Sequence, residues 1–409
     1  MDVVILSIPI FFVLMGLEVA WDFIHKKRGG EGKYRLNDSF TNVSCGIIDQ
    51  LTGIFAKVLT VGIYALVYEL FHFEWFDWSA GVLGWILAFI AVDLAYYWSH
   101  RTSHQVNLFW VGHVIHHQSE EYNLSVALRQ GAFQKMLMFW VYLPLALIGI
   151  TPELFAVSIG LNLLYQFWIH TEWVKSLGPF EWVLNSPSHH RVHHGRNEKY
   201  LDKNHGGVLI IWDRLFGTFQ KEEEQPVYGI TRPTNTFNPV YAHVQPFVRL
   251  WKDTAAIPTF KDKIQFVFRS PGWSAARGLY PEQDKQAGGE EYQKYHRSLP
   301  FALNVYLFVQ YFVLVGITAT FLFTFQNFSL PVQIGFVSFL LIQLLLMGNI
   351  FDSSKSALPI EIARLALWLV LGLAAGFLGF NLLAIATLIV SIASSSFVIH
   401  KRSLFQNHQ

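Results

Sequence analysis

One cysteine, Cys45, stands in a chain of 409 residues. That scarcity excludes an intramolecular disulfide framework and any site built on several thiolates, and it fits polar parts that face a reducing compartment. Charge is also scarce. Only 14% of residues are charged, and 30 Lys and Arg nearly balance 29 Asp and Glu, leaving a net charge of +1. No basic run is long enough to track a phosphate backbone, so nucleic acid is not an expected partner. Neither an internal repeat nor a low-complexity tract is present. Apolar residues fill the chain instead: 52% hydrophobic, 16% aromatic, with a mean hydropathy of +0.32. Such proportions belong to an all-α polytopic membrane protein.

Apolar stretches near 3–22, 45–71, 81–98, 133–149, 152–169, 301–325, 331–349, 359–376 and 378–398 predict about eight or nine transmembrane helices. The fourth and fifth are separated by little more than Ile150, Thr151, Pro152 and Glu153, which predicts a tight hairpin or a re-entrant pair that need not fully cross. Lys26, Lys27 and Arg28 follow the first stretch where a signal peptide has small residues, so the first span is expected to be retained. Basic residues occupy 26–35, 101–129, 175–298, Lys355 and the tail Lys401 and Arg402, whereas 72–80, 150–153 and 326–331 carry none. Alternating spans then put every basic stretch on one side, the cytoplasm, with the N-terminus outside. The expected location is a multi-pass integral membrane protein with its metal site on the cytoplasmic face. In a eukaryote the membrane is the endoplasmic reticulum, in a bacterium the inner membrane.

Three blocks emerge along the chain. Residues 1–235 hold the first spans and every histidine cluster; 236–300 read as a cytosolic or interfacial connecting segment; 301–409 form a four-helix membrane domain with almost no candidate chemistry. The connecting segment is broken by Pro271 and Gly272 and by the polar strings 282–285 and 288–291. Its stretch around 246–268 predicts an amphipathic helix lying on the bilayer.

The chemistry sits in three histidine clusters: His100 and His104; His113, His116 and His117; His189, His190, His193 and His194. On a helix, residues three or four apart project from one face, so each cluster aims several imidazole nitrogens at one region. His170 ends the fifth stretch on the same side, one turn after Gln166. Four adjacent histidines cannot all converge, and the spacing of His190, His193 and His194 repeats that of His113, His116 and His117. His189 is therefore the spare or an outer support. The predicted ligand set is His100, His104, His113, His116, His117, His170, His190, His193 and His194, with Asp93, Gln166, His189 and Glu120 as supports behind it. Nine imidazoles suit two metals better than one. With few carboxylates and no nearby cysteine, redox iron that binds oxygen is the better fit. Pro187 and Gly195 read as punctuation around the last cluster. Asp93, an ionisable group within an apolar span, has either a functional role or a polar partner on a neighbouring helix.

The spaced boxes HxxxH, HxxHH and HxxHH resemble the fatty acid hydroxylase and sterol desaturase superfamily of membrane di-iron oxygenases. Four longer strings narrow the resemblance: YNLSVALRQ at 122–130, NLLYQFWIHTE at 162–172, SPSHHRVHHGRN at 186–197 and GVLIIWDRLFGTF at 207–219. They are similar to the branch that cleaves glyceryl ethers with tetrahydrobiopterin. The likeness is strong over about 40–235; in the first box, Gln105 stands where the family pattern often has an acidic residue. The resemblance implies two iron ions, tetrahydrobiopterin as reductant, molecular oxygen and an ether-lipid substrate hydroxylated next to its ether oxygen, with an external reductase to recycle the pterin. Two other readings stay open at this point. One is another lipid or sterol hydroxylase or desaturase fed by a redox partner. The other is a metal transporter, which predicts ionisable residues running through several spans rather than histidines gathered at one face.

Overall fold

A computed structural model describes residues 3–274, 278–279, 293–352, 357–377 and 379–405. The strings 282–285 and 288–291 and Lys355 lie outside the described residues. Fifteen α-helices run in chain order among the described residues. The first four are α1 (Val3–Lys27), α2 (Leu36–Phe71), α3 (Gly81–Gln105) and α4 (Asn107–His117). The short helices α5 (Gln134–Met138) and α6 (Leu143–Leu147) lead to α7 (Pro152–Trp168), α8 (Pro187–His194) and α9 (Ile211–Leu215). Next come α10 (Pro239–Ala256), α11 (Phe260–Phe268), α12 (Phe301–Thr324), α13 (Leu330–Phe351), α14 (Ala357–Phe377) and α15 (Asn381–His400). Two paired strands of two residues each, Trp273–Ser274 and Gly278–Leu279, are the sole sheet among the described residues.

Seven described helices are long and apolar enough to cross a membrane: α1, α2, α3, and α12 to α15. The protein is an integral membrane protein. The count falls below eight or nine because 133–149 is not one helix. It breaks into α5, a 3₁₀ turn at Phe139–Tyr142, and α6, which has Pro144 in its first turn and so lacks one amide donor. The following helix α7 spans only 17 residues, capped by the Thr151 hydroxyl, which accepts from the Leu154 amide at 3.2 Å. This is the pair that the short 150–153 connection marks as a tight hairpin or a re-entrant pair.

Two compact units result, Met1–Thr234 with His243–Lys294, and Asn235–Ala242 with Tyr295–Gln409. In the first, α3 packs on α4 and α7, and Tyr64, Trp78, Ala88, Val92, Leu145 and Leu154 form an apolar core beneath them. Close backbone approach tightens it further. A Cβ on Gly131 would lie 1.8 Å from the Gly112 carbonyl oxygen on α4, so only glycine fits there. The stretch 246–268 is two helices, because Pro258 disfavours helical geometry at Ile257 and Thr259 caps a new start by accepting from Asp262 N at 3.2 Å. In the second unit, α12 to α15 are not free of ionisable groups: Glu361 and Arg364 on α14 are both buried.

Candidate metal centre

Three helices deliver the histidine boxes to one place. The third span runs on past its apolar part and carries His100 and His104 in its last turns, while α4 follows after a single extended residue, Val106. The Ser186 side chain accepts from the His189 amide, Pro187 occupies the first turn and Gly195 ends α8, so the sequence punctuation delimits a two-turn helix carrying the third box. His170 enters from the end of α7.

The nine predicted rings are all buried and fall into two groups whose ring nitrogens lie within 4.8 Å of one another: His100, His104, His113, His117 and His193 in one, His116, His170, His190 and His194 in the other. The first box serves one group whole, whereas the second and third are each divided between the two. Residues four apart on a helix differ by about 40° and share a group, whereas those three apart point to the opposite side of the pair's axis. Hence His113 and His117 stay together while His116 crosses over, and His190 and His194 stay together while His193 crosses over.

Nitrogen separations fit a shared ion in each group. The Nε2 atom of His113 lies 3.0 Å from that of His100 and 3.1 Å from that of His117. In the other group, Nε2 of His170 is 3.3 Å from His116 and 3.0 Å from His190, which is 3.2 Å from His194. A metal–nitrogen distance of about 2.1 Å puts adjacent ligand nitrogens roughly 3.0 to 3.4 Å apart. The remaining ring nitrogens set the tautomer. Backbone carbonyls of His205, Arg129, Gln166 and Lys203 accept from Nδ1 of His100, His116, His170 and His193, leaving each Nε2 lone pair for a cation. Nε2 of His104 and of His193 are buried with no protein partner, as a metal ligand requires. Burial first, then neighbouring imidazoles, holds His113, His116, His117, His190, His193 and His194 well below the ordinary histidine range. Burial likewise takes His170 down to about 4. Neutral rings present lone pairs at physiological pH without first shedding protons.

Each expected support has a definite place. His189 lies in neither group; its ring meets the edge of Phe219 and burial lowers it to about 4. The Gln166 contribution to His170 is its backbone carbonyl, while its side chain bonds Tyr96 and Asn162. Glu120 pairs with Arg35 at 3.6 Å. Asp93 accepts from Asn162, from the amides of Val208 and Leu209, and from the Trp212 indole at 2.5 to 3.1 Å. It thereby ties down the loop whose His205 carbonyl orients His100. Asp93→Asn puts an NH2 where donors converge, and metal affinity at the five-histidine group is expected to fall about 10- to 100-fold. Chelator competition on the purified variant reads this, and unchanged affinity would remove Asp93 from the support of His100.

Sequence reasoning missed several neighbours. His205 is fully buried with both ring nitrogens unpartnered, and its ring stands 5.0 Å from that of His104. A lone histidine eleven residues past the last box gives no periodic signal. Arg129 bonds the carbonyl of Ile115 and the side chains of Asn42 and Gln118, clamping α4. Tyr122 stacks on His170 at 5.8 Å. Beside the histidines opens a cavity of about 560 Å³, reached by His104, His117, His193 and His194 and walled by Trp110, Ile230 and α10 and α11.

Comparison with known proteins points the same way. The fatty acid hydroxylase family model matches residues 85–218, the stretch containing every ring of both groups. The chain is 39% identical over 377 residues to an alkylglycerol monooxygenase of Xenopus tropicalis, covering 88% of this chain and 80% of that protein. It is also 39% identical over 380 residues to an alkylglycerol monooxygenase of Homo sapiens, covering 90% and 82%. An ornithine lipid hydroxylase of Rhizobium tropici is 29% identical over 225 residues, 52% of this chain and 63% of the relative. No solved structure matches.

Proposed function

The chain belongs to the alkylglycerol monooxygenase family and is a membrane lipid monooxygenase, and from that premise we propose that it cleaves ether lipids at two irons held by its nine histidines. The five-histidine and four-histidine groups hold one iron each. Bound there, iron supplies the oxygen-derived oxidant that attack on an unactivated C–H bond needs and that side chains cannot provide. The protein's own contribution is orientation and a largely apolar surround: carbonyls fix the imidazole tautomers, and Trp110, Val111 and Val114 line the cavity beside the rings. With tetrahydrobiopterin as donor of two electrons and two protons, one atom of molecular oxygen would enter the carbon beside the ether oxygen and the other would leave as water. The resulting hemiacetal separates into a fatty aldehyde and a glycerol derivative, and an external reductase restores the pterin.

The observation that carries this reading is the convergence of nine buried Nε2 atoms into two groups at the end of a membrane-spanning helix. We infer that the histidine face is cytoplasmic: the distribution of basic loops supports it, and seven spanning helices keep the parity of nine alternating spans if the pair 133–169 returns to the side it starts from. The membrane is the endoplasmic reticulum in a eukaryote or the inner membrane in a bacterium. Likeness to an ornithine lipid hydroxylase favours, as a second reading, hydroxylation of another lipid with electrons from a redox partner. Purified, iron-loaded protein given an alkylglycerol and oxygen is expected to release aldehyde only when tetrahydrobiopterin is added, with about two irons per chain. Two irons without aldehyde would overturn the ether reading in favour of the second.

A further inference from the structure

The cavity beside the histidines has an unusual outer wall. On α10, Gln245, Pro246, Arg249, Leu250 and Asp253 face inward and line it, as does Phe266 of α11. The opposite faces are apolar and bare. Val244, Val248 and Trp251 recur at helical spacing on α10, and Phe260, Ile264 and Phe268 on α11, all exposed, with Trp251 at 76% and Phe260 at 77%. Six large apolar side chains at one face form a patch that water does not favour.

The position of these helices says what covers that face. The amide of Asn107, two residues past the end of the spanning helix α3, donates to the Arg269 carbonyl at 2.8 Å, and its side chain donates to the Phe266 carbonyl at 3.2 Å. The far end of α11 is thus tied to the point where a span leaves the membrane. Phe247 of α10 meets Phe133, just before α5, edge to face at 5.5 Å. Lys252, Lys261 and Arg269 stand exposed along the rim of the patch. Aromatic residues on one face with basic residues flanking them is the composition of a helix seated among anionic headgroups, which attract each Lys or Arg.

We propose that α10 and α11 form a gate seated in the surface of an anionic bilayer, through which a long-chain lipid passes from the leaflet into the histidine cavity. Their outer rows lie among headgroups while their inner rows contact the lipid on its way to the metals. The gate rests on the reading of the cavity as the reaction site; the bilayer seat does not.

The test uses full-length protein in phosphatidylcholine vesicles with and without phosphatidylserine. Bimane is attached to W251C or F260C, and to E223C as a solvent control, with the native thiol, Cys45, buried. Lipids carrying doxyl groups are expected to quench labels at 251 and 260, more strongly with phosphatidylserine, and to leave 223 untouched. The double variant W251S and F260S is expected to raise KM for a bilayer-borne long-chain ether on the order of tenfold. Iron content, kcat and KM for a short, water-soluble ether stay as in the parent. Labels at 251 and 260 quenched by aqueous iodide but not by doxyl lipid overturn the seat, whether or not the protein turns over. Lipid quenching with no change in long-chain KM overturns the gate.

Discussion

His194→Ala is expected to take iron from about two to about one per chain and turnover to background, while the protein still inserts and purifies. The reason lies in the unequal groups. His194 belongs to the four-histidine group, where loss of one ring leaves His116, His170 and His190. His104→Ala leaves four rings in its own group, so that ion is expected to be bound more weakly rather than lost, although the oxidation still fails because its coordination has changed. Metal analysis after exhaustive dialysis separates the two variants. His189→Ala is the control, since that ring belongs to neither group, and it is expected to retain about two irons. A His194→Ala protein with the parent's iron content would sink its assignment as a ligand.

What the sequence made legible follows from how each signal is encoded. Eight of the nine rings were readable because helical spacing is local: His100 with His104, or His190 with His194, declares a shared face wherever the helix ends up, whereas His170 was read from its place at the end of an apolar stretch. The division into five and four was not readable. It depends on how α3, α4 and α8 cross, which sends His116 and His193 to opposite groups from their box-mates. His205 and Asp202 escaped because they lie on a loop without periodicity; Asp202 has a positive φ of 54° and its carboxylate lies 3.5 Å from His104 Nδ1. Apolar run length located the seven described helices that are long and apolar enough to cross, whereas the breaks at Pro144 and a 3₁₀ turn, which divide 133–149 into short pieces, give it no signal. The support role of Asp93 was only half legible. A buried carboxylate in a span announces a partner, but not that the partner is a loop more than a hundred residues away.

The second large effect is expected far from the histidines. Arg364→Leu is expected to destabilise the C-terminal helices by roughly 3–5 kcal/mol, because it strands the Glu361 carboxylate without its cation in a buried site. In the intact chain, Arg364 donates to Glu361 from Nε at 2.7 Å and from Nη2 at 2.6 Å, and reaches Gln310 at 3.2 Å and Gln343 at 3.4 Å. The Tyr306 hydroxyl also donates to Glu361, and Gln310 donates to Ser394. One network therefore touches all four helices: Tyr306 and Gln310 on α12, Gln343 on α13, the ion pair on α14 and Ser394 on α15. Between helices whose other contacts are mostly apolar, such a network selects a single register. That argument separates specificity from strength. The double replacement of Glu361 and Arg364 by leucine removes both charges together and is expected to recover most of the loss, since a paired buried charge adds little over a well-packed apolar pair. Unfolding of the full chain in detergent reads both variants. A single variant no less stable than the double would mean the ion pair does not hold the helices, and the register would then rest on packing alone.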